Sequence, residues 1–272
     1  MHIGHWGEWQ IKRRDVEIFP QRETKGPEEQ EELMQKCGIT KAVIVPHYVP
    51  DLEAPFKRYN PVVLDAVSAL KNVKGGLWVS PLPDATELLQ NILEQKPHKN
   101  IRALKMSANA WPGKINMSPA SWKSEFRQNM ELILDYAKKH DLTIHMHTGT
   151  GNSAVQYFIP FIEKYGDRAR MQMVHMGNSA SGVMAFVPRF IDWIEKGYDL
   201  YCDTSDCWGF GPNWLVKEAI KHHDPALKRI LFASDNPWGV FEAEVAKIES
   251  SPISEDIKKM IFFENAEELY FR

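Results

Sequence analysis

Residues 142–149 read LTIHMHTG, a brief apolar and β-branched run whose last positions turn polar before a glycine. It is flanked by SPASWKSEFRQNMELILDYAKKH (118–140) and AVQYFIPFIEKYG (154–166), in which apolar residues recur at helical spacing. The same unit repeats in both directions. Downstream come ARMQMVHMG (169–177), YDLYCDTSD (198–206) and KRILFASDNP (228–237), and upstream IRALKMSA (101–108), GGLWVSPL (75–82) and ITKAVIVPHY (39–48), with amphipathic stretches between them. One such stretch, GPEEQEELMQKCG (26–38), has Pro27 in its first turn, early glutamates and a glycine stop. With MHIG (1–4) counted as a first strand, there are eight strand–helix units. The spacing predicts an α/β fold of one domain over residues 1–272, a (β/α)8 TIM barrel, in preference to a doubly wound open sheet. The open sheet would want a Gly-rich fingerprint after its first strand, and there is none.

Bulk properties agree with this reading. The chain has 272 residues, 43% hydrophobic and 25% charged, enough for a large core and too ordered in pattern for wholesale disorder. Its net charge of −3 is spread in both signs, so neither a nucleic-acid partner nor an acidic tail is expected. Three cysteines, Cys37, Cys202 and Cys207, follow no zinc-finger spacing and suit a reducing compartment. The sequence has no apolar run suited to a signal peptide or a membrane span, so the expectation is a cytoplasmic protein acting on a small molecule, with a homodimer common for such barrels.

In a barrel of this kind the chemistry gathers at the C-terminal ends of the strands. Alternation along the fifth strand places His145 and His147 on one side, with Ile144 and Met146 facing the helices. The sixth ends on His175, read as pointing with Met171 and Met173, and the eighth brings Asp235 to the rim with Leu231 and Ala233. Imidazole and carboxylate are ligands for zinc and related ions, and an ion with an open position activates water near neutral pH. A lone strand-end histidine is more often a hydrogen-bonded rim residue, but three strand ends delivering His, His and Asp point to a metal.

The segments HTG (147–149), VHMG (174–177), YCDTS (201–205), LFASDNPWG (231–239) and ENAEELY (264–270), together with EELMQKCGITKAVIV (31–45), resemble the amidohydrolase-related family. These are metal-dependent TIM-barrel hydrolases that include the aminocarboxymuconate-semialdehyde decarboxylase type. The resemblance implies His147, His175 and Asp235 as metal ligands, with a histidine pair on the first strand. Here His2-Ile3-Gly4 matches the second histidine of that pair, and the first would fall before Met1. Three readings stay open: a natural start further upstream, replacement by His5 or His145, or loss of the metal. The upstream start is the preferred one, because a four-residue strand is short for closing a barrel.

Around the rim, Lys105 lies on the inward side of the fourth strand. A contact to a substrate carboxylate or plain hydrogen bonding is expected there over carbamylation. Asp203 is expected either to orient a rim group or to bond nearby backbone. Trp6, Trp111, Trp208 and Trp238 follow strand ends, where they would line the mouth for a flat substrate or else pack loops on the barrel. The loop 107–119 is a candidate lid. Taken together, these features lead to hydrolysis of an amide, ester or lactone by metal-activated water, with Asp235 and His175 handling metal or protons. Zinc is the expected ion, with manganese or cobalt as alternatives. Non-oxidative decarboxylation of a (semi)aromatic carboxylic acid is the second reading, and a barrel that binds without catalysis the third. A glycosidase lacks its carboxylate after strand four, and a serine hydrolase its G-x-S-x-G elbow.

Overall fold

The computed structural model describes residues 26–47, 52–236 and 238–272, together with the backbone of His2–Ile3, Lys12–Arg13 and Val16–Glu17. Eight parallel strands lie side by side in chain order: β1 (His2–Ile3), β2 (Ala42–Pro46), β3 (Val73–Trp78), β4 (Ile101–Met106), β5 (Thr143–His147), β6 (Met171–Val174), β7 (Leu200–Asp203) and β8 (Ile230–Leu231). Lys12–Arg13 and Val16–Glu17 form a separate antiparallel ribbon. Helices α1 (Pro27–Lys36), α2 (Asn60–Ala69), α3 (Thr86–Leu93), α4 (Ser124–Lys139), α5 (Val155–Tyr165), α6 (Ala180–Glu195) and α7 (Gly211–His222) connect them. The chain ends with α8 (Phe241–Glu249), α9 (Glu255–Lys259) and α10 (Asn265–Tyr270). This is the TIM barrel that the recurring units predict. Among the described residues β1 pairs with Val45 and Pro46, the last residues of β2.

Local sequence explains the elements. α1 starts on Pro27, whose missing N–H is no loss in a first turn, and Gly38 beyond its end takes φ +66°. α4 presents Phe126, Met130, Ile133, Leu134 and Ala137 to the sheet at spacings of three and four, which keeps them on one face. These join Leu104, Met106, Ile144, Met146, Met171 and Met173 in the apolar layer between strands and helices. Burying a side chain of that size contributes about 2 kcal/mol.

The barrel interior is a second, partly polar layer. Ala103, Tyr201, Leu231 and Tyr270 pack together at its base. Above them Tyr270 Oη donates to Gln172 Oε1, and Gln172 Nε2 donates to Asp203 Oδ2 at 2.7 Å. The interior residue of β6 is therefore Gln172, whereas Met171 and Met173 belong to the helix-facing layer. The parity expected from the sequence is thus corrected by one residue. Continued alternation would have turned His175 outward.

The expected lid, 107–119, is pinned in place. Trp122 Nε1 donates to Asn116 O at 2.7 Å, Ser153 N to Asn109 Oδ1 at 3.1 Å, and Asn152 Nδ2 to Trp111 O at 3.3 Å. Among the described residues no helix is long and apolar enough to cross a membrane.

Candidate metal centre

His175 comes inward through its backbone. Its φ is +71°, followed by Met176 at +49° and Gly177 at +87°, a left-handed run that reverses the chain where β6 ends. Such angles cost a non-glycine residue energy and persist only where the surroundings enforce them. Three contacts enforce them here. His175 N donates to Asp203 Oδ1 at 3.3 Å, Gly177 N to Thr148 Oγ1 at 2.9 Å, and Gly177 packs directly on Gly182. A Cβ on Gly182 would stand 1.9 Å from Gly177 O, so the turn and the first turn of α6 fit only without one.

The imidazole of His175 is 2% exposed, and its proton can be placed from the hydrogen bonds. Nδ1 lies 3.1 Å from Ser205 O and 3.0 Å from Ser205 Oγ. A carbonyl oxygen only accepts, and the hydroxyl gives its proton to Asp203 Oδ1 at 2.6 Å. Nδ1 therefore carries a hydrogen, and Nε2, on the other side of the ring, faces Asp235, whose Oδ2 is 3.9 Å away. Asp203, which the sequence left between orienting and structural roles, does both. It bonds the backbone of His175 and Ser205 and, through the Ser205 hydroxyl, steadies the His175 ring.

His147, at the end of β5, is half-buried with its ring edge-on to that of His175, centroids 4.9 Å apart. Burial, with the neighbouring His175 and Lys105, holds its pKa well below the ordinary value, so it is neutral, the form that binds metal. Asp235 is buried at φ +48°, beyond the end of β8. Ligand atoms of His175, Asp235 and Asp206 all lie within 4.8 Å of one another. One nitrogen and two carboxylates so gathered are a donor set suited to a divalent ion.

Lys105, 2% exposed, sits inside the barrel with Nζ 3.3 Å from His145 Nδ1. Desolvation lowers its pKa to about 8, against the opposing pull of Asp235 and Asp203. It remains a cation at neutral pH and donates to His145.

The tryptophans separate. Trp111 is 3% exposed and packs edge-on to Phe126, with ring centroids 5.0 Å apart. Trp208 is 55% exposed on the loop after β7. Trp238 is half-buried against His47, with centroids 5.0 Å apart. The side chain of His2, and the whole of His5 and Trp6, lie outside the described residues.

Two site residues went unread in the sequence. His47 follows β2 directly, and the strand-end rule applied to the other histidines would have found it; its ring packs against that of Trp238. Asp206 lies three residues past β7, and no strand-end rule reaches it. The residue is exposed overall, while desolvation of its carboxyl raises its pKa, His175 opposes the rise and Asp235 adds to it. Away from the rim, a cavity of about 340 Å³ runs along the seam between β8 and β2 and touches the inner wall at His145 and Gln172.

A family model described as amidohydrolase matches residues 6–272. No curated protein gives a significant sequence match. Among solved structures, a 5-carboxyvanillate decarboxylase from Sphingomonas paucimobilis is 14% identical, with TM-score 0.62, over 89% of this chain and 82% of that one. A dihydroxybenzoic acid decarboxylase from a Polaromonas species, with bound manganese, is 16% identical over 89% of this chain and 85% of that one, at TM-score 0.58. A probable 2-pyrone-4,6-dicarboxylic acid hydrolase from Acinetobacter baumannii, with citric acid bound, is 11% identical over 100% of this chain and 97% of that one, at TM-score 0.66. Eight parallel strands, polar residues gathered at the strand ends and a family match along nearly all its length place this chain in the amidohydrolase family.

Proposed function

We propose that this chain is a metal-dependent decarboxylase of a small (semi)aromatic carboxylic acid. Lys105 carries the reading. An ammonium 2% exposed inside the barrel is costly to bury, the carboxylates of Asp235 and Asp203 offset that cost only in part, and a substrate carboxylate would offset more of it. The likeness to two decarboxylases supports the same chemistry and reverses the order of the sequence-based expectations, in which hydrolysis came first.

His147, His175 and Asp235 would hold the ion, as the family resemblance implies. When bound, a divalent ion supplies positive charge that draws electron density from the substrate's oxygens. The chain's own groups do the rest. Lys105 holds the carboxylate, and the Asp203–Ser205 pair keeps His175 in the tautomer whose Nε2 faces Asp235. Decarboxylation breaks the bond between the ring carbon and the carboxyl carbon. Carbon dioxide leaves, the electron pair stays on the ring, and a proton takes the vacated position. With a pKa of about 8, Lys105 is charged at neutral pH and acidic enough to supply that proton, while His145 Nδ1 holds its head in place.

Hydrolysis of a lactone is the second reading, favoured by the likeness to the pyrone dicarboxylic acid hydrolase over the whole chain. Incubating the metal-loaded chain with hydroxylated aromatic acids and with pyrone-type lactones separates the two. Carbon dioxide release with uptake of one proton per turnover is expected. Ring-opened acid without carbon dioxide assigns the chain to hydrolysis, and turnover of neither class by protein shown to hold metal overturns both.

A further inference from the structure

We propose that Asp206, on the loop after β7, is itself a ligand of the metal, so that His175 Nε2 and the carboxylates of Asp206 and Asp235 grip one ion. The proposal rests on the metal-dependent reading above and adds a carboxylate that the family resemblance does not supply. Its first support is distance. The three residues offer atoms all within 4.8 Å of one another. Donors arranged around one ion at roughly 2.1 to 2.5 Å stand about 4 to 5 Å apart at most, so the cluster already has the size of a coordination shell.

The second support is independent of the acids. Nε2 of His175 makes no hydrogen bond among the described residues, although the side chain is buried. Nδ1 is held at Ser205, so Nε2, on the other side of the ring, faces the carboxylate side of the cluster, 3.9 Å from Asp235 Oδ2. A buried ring nitrogen aimed between two carboxylates is placed as a ligand atom for a cation held among them. The nearby Lys247 is engaged elsewhere, bonded to Glu244 Oε2 at 2.5 Å and to Cys207 O at 3.2 Å. Asp206 is also held in position. Asn178 Nδ2 donates to its Oδ2 and to its carbonyl, each at 2.7 Å, and its own N–H donates to Glu244 Oε2 at 3.3 Å.

The donor set has a consequence for the metal. With Asp206 added to His147, His175 and Asp235 the set holds two carboxylates beside its imidazoles, which favours a hard ion such as Mn2+ more than zinc-type sites rich in nitrogen or sulfur do. The chain, stripped with chelator, is titrated with Mn2+ while the electron paramagnetic resonance signal of the free ion is followed, with Zn2+ competition as a second readout. Asp206→Asn keeps the shape and tolerates φ +44°, and Asp206→Gly accepts that angle with no side chain. Both are expected to bind Mn2+ at least tenfold more weakly than wild type and to lose less affinity for Zn2+, with thermal unfolding of the metal-free proteins within a few degrees of wild type. Mn2+ affinity within threefold of wild type in Asp206→Asn and Asp206→Gly, while Asp235→Asn loses the ion, overturns the role of Asp206 and leaves the metal-dependent reading standing. A wild-type chain that binds neither ion overturns both.

Discussion

Replacing Lys105 by methionine should make the protein more stable and inactive at once. The lysine's pKa falls from 10.5 to about 8 in the folded chain, which at neutral pH is a penalty of about 3 kcal/mol for keeping the ammonium inside the barrel. Between pH 8 and 10.5 the unfolded chain holds this proton and the folded chain does not. Stability contributed by the lysine therefore rises with pH across that window, and below it the full penalty applies. Methionine is of similar length, carries no charge, and forfeits only the hydrogen bond to His145 Nδ1, about 1 kcal/mol. The net gain at pH 7 is about 2 kcal/mol, or roughly 4 to 8 °C in melting temperature. Urea unfolding of both proteins at pH 7, 8, 9 and 10 measures it, with chelator present because a cation beside Asp235 would depress the lysine further. The gap should be widest at pH 7 and close by pH 10. Decarboxylation should fall by about 100-fold or more, the usual contribution of a positioned proton donor. A gap that stays constant with pH, or a methionine variant less stable than wild type at pH 7, would refute the argument that Lys105 is a buried cation awaiting an anion.

Two further perturbations test the frame around His175. Gly182→Ala places a methyl 1.9 Å from Gly177 O, so urea unfolding should show a loss of about 3 kcal/mol, and metal affinity should fall with the displaced turn. Ser205→Ala removes the hydroxyl on Asp203 and should cost about 1.5 to 3 kcal/mol. Nitrogen-15 spectra of the metal-free variant should still show the hydrogen on His175 Nδ1, because the Ser205 carbonyl can only accept; a switch to Nε2 would contradict the tautomer assigned here.

The recurring strand–helix units determined the barrel, because apolar periodicity is a local property and each unit announces itself within a few dozen residues. The same locality made the placement of Lys105, His145 and His147 legible, because alternation along an unbroken strand fixes which side chains share a face. Asp235 was found by its nearness to a strand end, although it lies four residues past β8 at φ +48°, where alternation no longer applies. For His175 the rule failed. Gln172 occupies the inner wall, and the histidine returns to the site only through a left-handed turn that Thr148, Asp203 and Gly182 hold from three other segments. Asp206 was invisible for the same reason, being brought to the centre by a loop whose course is set by packing between units, and the partner through which Asp203 orients His175, the Ser205 hydroxyl, was unreadable likewise. What alternation along a single strand dictates could be read from the chain. Where the backbone reverses against its neighbours, only the folded barrel decided which atoms meet.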